Sequence, residues 1–157
     1  MIRLNDIHCH FFSTPFFAAL GRQLRDADER APHGAALAKL GWEPPGAAEA
    51  LADRWVSELD RANVARAAII ASVPGDAGSV AAAVARHPRR LVGFFMVDPT
   101  HPDSVSLAAD GLDAGGLRAI CLFPIPRVDD RKQDNSRFVA RVNSLWISAG
   151  YLNEMPA

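Results

Sequence analysis

The chain has 157 residues, of which 49% are hydrophobic and 22% charged, and 17 basic against 18 acidic residues give a formal net charge of −1. This balance excludes a mainly disordered chain and provides no electrostatic drive toward nucleic acid or a membrane surface. Apolar runs stay far below the ~20 residues that span a bilayer, and no signal-peptide core is present, so we expect a cytoplasmic protein. The length is also below the about 200–250 residues of a closed eight-unit α/β barrel.

Apolar residues follow the periods of strands and helices in alternation. Repeated strand–helix–strand units are typical of a parallel sheet with right-handed crossovers, so we predict an α/β fold with about four βα units. Active sites in such folds lie at the C-terminal ends of the strands. The predicted elements, in chain order, are a strand at 4–7, helices at 15–25 and 45–62, a strand at 67–71, a helix at 79–87, a strand at 91–97, a helix at 102–114 and a strand at 117–122.

Two regions depart from this repeat. The insertion at 11–44 holds the 15–25 helix and a Gly/Pro-rich stretch, and it is either a lid over the catalytic face or a surface loop. Beyond residue 124 the composition changes, since alanine falls from 25 of the first 124 residues to 3 of the last 33. We therefore expect a domain at 1–124 and a divergent, irregular tail at 125–157. A frameshifted or truncated chain would end in such a tail. Residues 138–147 either form a short helix or are irregular like the rest of the tail.

The motif that carries chemistry is Asp6-Ile7-His8-Cys9-His10, at the end of the first predicted strand. Residues i and i+2 of an extended chain point to the same side, so His8 and His10 bring two imidazoles together while Cys9 points away. Neutral imidazole suits zinc, and also manganese or iron, so we predict one divalent metal ion held by His8 and His10. Asp6 shares their side and would be an acceptor beside the ligands. The alternative is a chance pair of surface histidines.

Two further residues are candidates for contact with a small-molecule substrate. Asp98 ends the third predicted strand, and it either contacts the substrate or caps the turn at Pro99. Arg118 lies in the fourth predicted strand, and it either pairs with a substrate carboxylate or has a structural, exposed role. The sequence contains no Gly-rich phosphate loop and no Gly-x-Ser-x-Gly elbow, so no catalytic residue is assigned.

The Asp-x-His-x-His motif that closes the first strand resembles that of the metal-dependent amidohydrolase superfamily. Other parts of the chain look most like its second amidohydrolase family, the group similar to the aminocarboxymuconate-semialdehyde decarboxylases. The resemblance covers roughly residues 1–124. The segments that carry it are 7–12, 51–60, 71–76, 86–90 and 93–99.

This resemblance implies the N-terminal half of a (β/α)8 TIM-like barrel with one divalent metal ion at its C-terminal mouth. His8 and His10 would be the ligands from the first strand. The family takes its further ligands, a histidine and an aspartate, from the fifth and eighth strands. Relatives with two metals use a carboxylated lysine on the fourth strand, and the absence of lysine at 117–122 favours a single metal, zinc before manganese or iron.

The implied function is that of a metal-dependent hydrolase, or a nonoxidative decarboxylase, acting on a small carboxylated or cyclic substrate. Four strands are predicted rather than eight, and no histidine follows His101, so the site would be incomplete in this chain. The alternative is a non-catalytic truncated fragment with at most weak metal binding. Unpaired edges of a four-stranded sheet would favour a homo-oligomer formed through those edges.

Overall fold

The structure, a computed structural model, describes residues 4–23, 31–113 and 115–122. The tail expected at 125–157, with its optional helix, lies outside these residues. The strands are β1 (Leu4–Phe11), β2 (Val64–Ala71), β3 (Leu91–Met96) and β4 (Ala119–Cys121). The helices are α1 (Thr14–Gly21), α2 (Pro32–Leu40), α3 (Ala48–Arg61), α4 (Ala77–Arg86) and α5 (Ser104–Asp113).

The described strands form one parallel sheet in the order β1-β2-β3-β4. Each strand pairs with its neighbour in sequence, because a helix packed on the sheet returns the chain to the same end each time. The C-terminal ends of all four strands therefore meet at one edge of the sheet. The predicted α/β fold is confirmed as four parallel strands that alternate with helices, although β1 extends to Phe11 rather than ending at residue 7.

Helices α3, α4 and α5 cover one face of the sheet and form the main core with it. Burial alternates along the strands, as in β3, where Leu91, Gly93 and Phe95 are buried and Val92, Phe94 and Met96 are half-buried. Each fully buried Leu, Ile or Phe side chain contributes about 1.5–3 kcal/mol, so this face stabilises most of the fold. No helix within the described ranges is long and apolar enough to cross a membrane. The core residues are Cys9, Phe11, Ala52, Leu59, Ala67, Ile69, Ala71, Val80, Ala83, Leu91, Phe95, Val97, Ala108, Leu112 and Leu117.

The described residues of the insertion between β1 and α3 form two helices, where the sequence predicted one. Besides α1, part of the Gly/Pro-rich stretch folds as α2, which begins at Pro32 and ends at Leu40 and is followed by Gly41 with a left-handed φ of 67°. Proline in the first turn and glycine just past the last turn are normal helix boundaries, so the Gly/Pro content marked ends of a helix rather than a loop. α1 and α2 pack together around a second small core of Phe17, Ala36 and Leu37.

Close packing of α5 on β3 makes Gly111 sensitive to substitution. A Cβ at this position would lie 2.4 Å from the buried ring of Phe95, whereas a Cβ at Gly78 in α4 would meet nothing within 4 Å. Alanine is the better helix former at both positions. We expect Gly111→Ala to unfold at lower denaturant concentration than Gly78→Ala, by about 1–3 kcal/mol in free energy of unfolding, because the Phe95 ring must shift. Equal stability of the two variants would contradict this packing.

Candidate metal centre

A β-bulge in β1 precedes the two histidines. From Asp6 to Cys9 the chain advances three residues along β1, while its partner strand advances two, from Ala67 to Ile69. The extra residue lies at 7–8, and Oδ1 of Asp6 accepts a hydrogen bond of 3.0 Å from the main-chain N–H of His8, which supports the bulge. Bulges re-aim side chains and are common beside functional sites.

The imidazoles of His8 and His10 lie side by side at the C-terminal end of β1. Their Nε2 atoms are 3.2 Å apart, and their ring centroids are 5.0 Å apart with the rings nearly perpendicular. Cys9, between them, is buried in the core on the opposite face of the strand. Burial, with a smaller contribution from the Asp6 carboxylate, raises the pKa of the Cys9 thiol to about 12. Cys9 is therefore a protonated core residue, and the two imidazoles are the donors at this end of the strand.

His10 is held on its other side by residues from β2 and from the insertion. Its Nδ1 lies 3.0 Å from Oγ of Ser72, the residue that follows β2, and the same hydroxyl lies 3.2 Å from the carbonyl oxygen of Ile70. The ring of Phe12 is parallel to that of His10, with centroids 5.8 Å apart. The half-buried His10 ring is thus fixed in position and in plane, whereas His8 is exposed.

Aromatic side chains of the insertion continue from Phe12 and form a wall beside the histidine pair. Phe16 stacks on Phe12 with centroids 4.4 Å apart, and Trp42 lies 6.2 Å from Phe12 and 6.0 Å from Phe17. The Trp42 side chain packs and is also 52% exposed, so it contributes both to the insertion's core and to the surface near His10. We call Phe12, Phe16, Phe17 and Trp42 the aromatic wall.

The three other predicted site residues have partners of their own. The Asp6 carboxylate binds the main chain of His8 and the Cys9 thiol, and the main-chain hydrogen bond is the largest of the causes that lower its pKa. Oδ1 of Asp98 accepts hydrogen bonds from the main-chain N–H and the hydroxyl of Thr100, at 2.9 and 2.6 Å, so Asp98 caps the turn after β3. Arg118 is exposed and precedes β4, three strands from β1 and hence about 14 Å away.

Asp98 also lines a cavity at the C-terminal ends of β2 and β3. This cavity has a volume of about 370 Å³ and is bounded by Pro74 and His101, in the loops that lead into α4 and α5, and by Leu107 of α5. It lies beside β3 rather than at the histidine pair. The structure therefore brings His8 and His10 together with Ser72, and it leaves Asp98 just after the end of β3 and Arg118 just before the start of β4.

A buried polar link, which the sequence motifs did not single out, joins the loops that follow β1 and β2. Ser13 caps α1, accepting a hydrogen bond of 3.3 Å from the N–H of Phe16, and its hydroxyl donates to the carboxylate of Asp76 at the start of α4. Ser13 and Asp76 are each 2% exposed. Burial raises the pKa of Asp76, and hydrogen bonds from Ser13 and Ser79 oppose that shift only in part. This link fixes the loop after the histidines against the loop that carries Ser72.

The histidine pair consists of two imidazoles, a side chain of the type that zinc accepts as a ligand. Within residues 4–23, 31–113 and 115–122, no group of three or more His, Cys, Asp or Glu side chains is placed to hold a metal ion. A tetrahedral site needs further ligands, from protein or water. The described part of the chain thus contains a two-imidazole centre whose remaining ligands would lie elsewhere.

Comparison with known proteins supports the fold. No family model and no curated protein matches the chain. A solved structure does: the crystal structure of a probable 2-pyrone-4,6-dicarboxylic acid hydrolase from Acinetobacter baumannii, with citric acid bound, matches with a TM-score of 0.54 at 21% sequence identity. The match covers 92% of this chain and 47% of that one, so this chain spans about half the length of the hydrolase. The shared architecture is an α/β half-barrel, as predicted.

The buried Asp76 carboxylate should make stability depend on pH. The pKa of Asp76 is higher in the folded than in the unfolded chain, so its carboxyl group favours folding while it is protonated. That contribution is complete below the ordinary aspartate pKa of about 4, and it is lost as the pH rises through the raised pKa of the folded chain. Asp76→Asn keeps an acceptor for Ser13 but carries no charge. We expect the stability of the wild type, relative to Asp76→Asn, to fall as the pH rises above the ordinary aspartate range in denaturant titrations. A relative stability that rises with pH would contradict the assignment.

Proposed function

We propose that this chain carries the N-terminal half of a metal-dependent hydrolase of the amidohydrolase type, which acts on a small carboxylated cyclic substrate. The observation that carries the proposal is the approach of the His8 and His10 Nε2 atoms to 3.2 Å at the C-terminal end of a parallel strand. That end is where enzymes with this architecture have their active sites. The proposed cofactor is one divalent metal ion, zinc in the first instance, with manganese or iron as alternatives.

The spacing of the two nitrogens suits zinc. Nitrogen ligands about 2.0–2.1 Å from a tetrahedral zinc ion are about 3.3 Å from each other. The separation of 3.2 Å between the Nε2 atoms is close to that value. Two imidazoles also match the nitrogen donors that zinc accepts, while the protonated Cys9 thiol faces the core and takes no part.

The edges of the sheet are the places where the remaining ligands would be added. β1 and β4 are the outer strands of the described sheet, and Leu4 and Ile7 on β1 are 61% and 79% exposed. Exposed apolar side chains on an unpaired strand edge favour pairing with further strands. Such strands would come from other parts of the polypeptide or from a second copy of the chain, which is the homo-oligomer expected from the sequence.

When bound, the metal ion would polarise a substrate carbonyl group or lower the pKa of a water molecule. The roles of the chain's own residues follow from their positions. His8 and His10 hold the ion, and the aromatic wall offers an apolar surface against which the face of a ring can lie. A carboxylated ring is also the type of molecule named for the hydrolase of similar fold, a pyrone dicarboxylic acid. We propose hydrolysis rather than nonoxidative decarboxylation because that protein of similar fold is named a hydrolase.

A second candidate is a non-catalytic fragment that binds metal weakly. It is favoured by the number of donors, since the described residues supply two imidazoles and no third ligand beside them. The two candidates share the metal site and differ in whether the full chain turns over a substrate. Hydrolysis of a cyclic ester dicarboxylate by the zinc-loaded full chain therefore separates them.

Zinc binding tests the metal site that both candidates share. We expect the full chain to bind zinc at equilibrium, and His8→Ala and His10→Ala each to weaken binding at least about ten-fold, because each removes one of the two imidazole donors. His33→Ala, which removes an imidazole from α2, serves as the matched control and should bind zinc as the wild type does. If His8→Ala and His10→Ala both bind zinc as tightly as the wild type, zinc binds elsewhere and the proposed site is wrong.

A further inference from the structure

We propose that Ser72 is the positioning residue of the candidate metal centre: its hydroxyl fixes His10 in the tautomer that carries the proton on Nδ1 and leaves Nε2 free to bind a metal ion. The tautomer of His10 is a property of the metal-free chain. The role of Ser72 in preparing His10 as a metal ligand rests on the proposed function. Ser72 lies 62 residues from His10 in sequence and follows a different strand.

The hydrogen-bond inventory of Ser72 sets the direction of its contact with His10. A serine hydroxyl has one proton to donate and two lone pairs that accept. Its Oγ lies 3.2 Å from the carbonyl oxygen of Ile70, which only accepts, so the hydroxyl proton goes there. We therefore assign the contact of 3.0 Å between Oγ and Nδ1 of His10 as a hydrogen bond that the imidazole donates. His10 therefore carries its proton on Nδ1.

This tautomer determines what Nε2 of His10 presents to its neighbour. A neutral imidazole with its proton on Nδ1 has a lone pair on Nε2. That lone pair faces Nε2 of His8 at 3.2 Å, so in the metal-free chain His8 donates an N–H to it. A metal ion would take the place of that proton: His10 keeps its tautomer, while His8 moves its proton from Nε2 to Nδ1 through solvent and remains neutral. Binding of the ion would thus change the tautomer of the exposed His8 ring and leave that of His10 unchanged.

The position of Ser72 follows from the pairing of β1 with β2. His10 lies opposite Ile70 in the parallel register, and Ser72 is two residues beyond Ile70, on the same side of that strand. Stacking of Phe12 on His10 fixes the plane of the ring, so that both of its nitrogens lie on defined partners. Hydrogen-bond partners of this kind orient metal-binding histidines and set their tautomer, and their removal typically lowers metal affinity about 10–100-fold.

Long-range ¹H–¹⁵N correlation spectra of the metal-free full chain, recorded where the imidazoles are neutral, test the assignment directly. We expect Nε2 of His10 to resonate as an unprotonated nitrogen in the wild type and in Ser72→Thr, which keeps the hydroxyl. In Ser72→Ala we expect His10 to shift toward the tautomer protonated on Nε2, since Nδ1 has lost its acceptor. Ser106→Ala, which removes an exposed serine hydroxyl of α5, should give the wild-type spectrum.

Zinc affinity provides the second readout. Ser72→Ala should bind zinc about 10–100-fold more weakly than the wild type, and Ser72→Thr should restore most of the affinity. A wild-type chain that binds no zinc would contradict the proposed function, while the spectra would still decide the role of Ser72. A proton on Nε2 of His10 in the wild type would overturn the inference, even if Ser72→Ala fails to fold. Unchanged tautomer and affinity in a folded Ser72→Ala variant would overturn it as well.

Discussion

The parallel pairing of β1 with β2 is the constraint on which the candidate site depends. In this register His10 lies opposite Ile70, which brings the hydroxyl of Ser72 to the imidazole. A slip of one residue would turn the histidines toward the helix-covered face and the core residue Cys9 toward solvent. Burial of Cys9 and Phe11 in the main core therefore specifies the register, and the register in turn places the two imidazoles on the opposite face of β1.

Polar and aromatic contacts then hold this end of the sheet in shape. The buried Ser13–Asp76 link joins the loop after β1 to the loop after β2, and it does so at the cost of burying a carboxylate. On the other side, α1 and α2 support the aromatic wall, which stacks on His10 through Phe12. The His10 ring is thus fixed by Ser72 and Phe12, whereas the His8 side chain is exposed.

Local patterns in the sequence were sufficient to predict the alternation of strands and helices and the meeting of His8 with His10, because both depend on spacing along one segment. The bulge at 7–8 and the contact of Ser72 with His10 were not predictable, since they arise from pairing between residues about sixty positions apart. The same applies to Ser13 and Asp76. Helix α2 was missed for another reason: its bounding proline and glycine are also typical of loops.

A crystal structure of the full chain soaked with zinc, with the ion located by anomalous scattering, tests the central claim most directly. We expect one zinc ion about 2.0–2.1 Å from Nε2 of both His8 and His10, with Nδ1 of His10 still bound to Ser72. Zinc found only at other positions, with the two Nε2 atoms still hydrogen-bonded to each other, would contradict it.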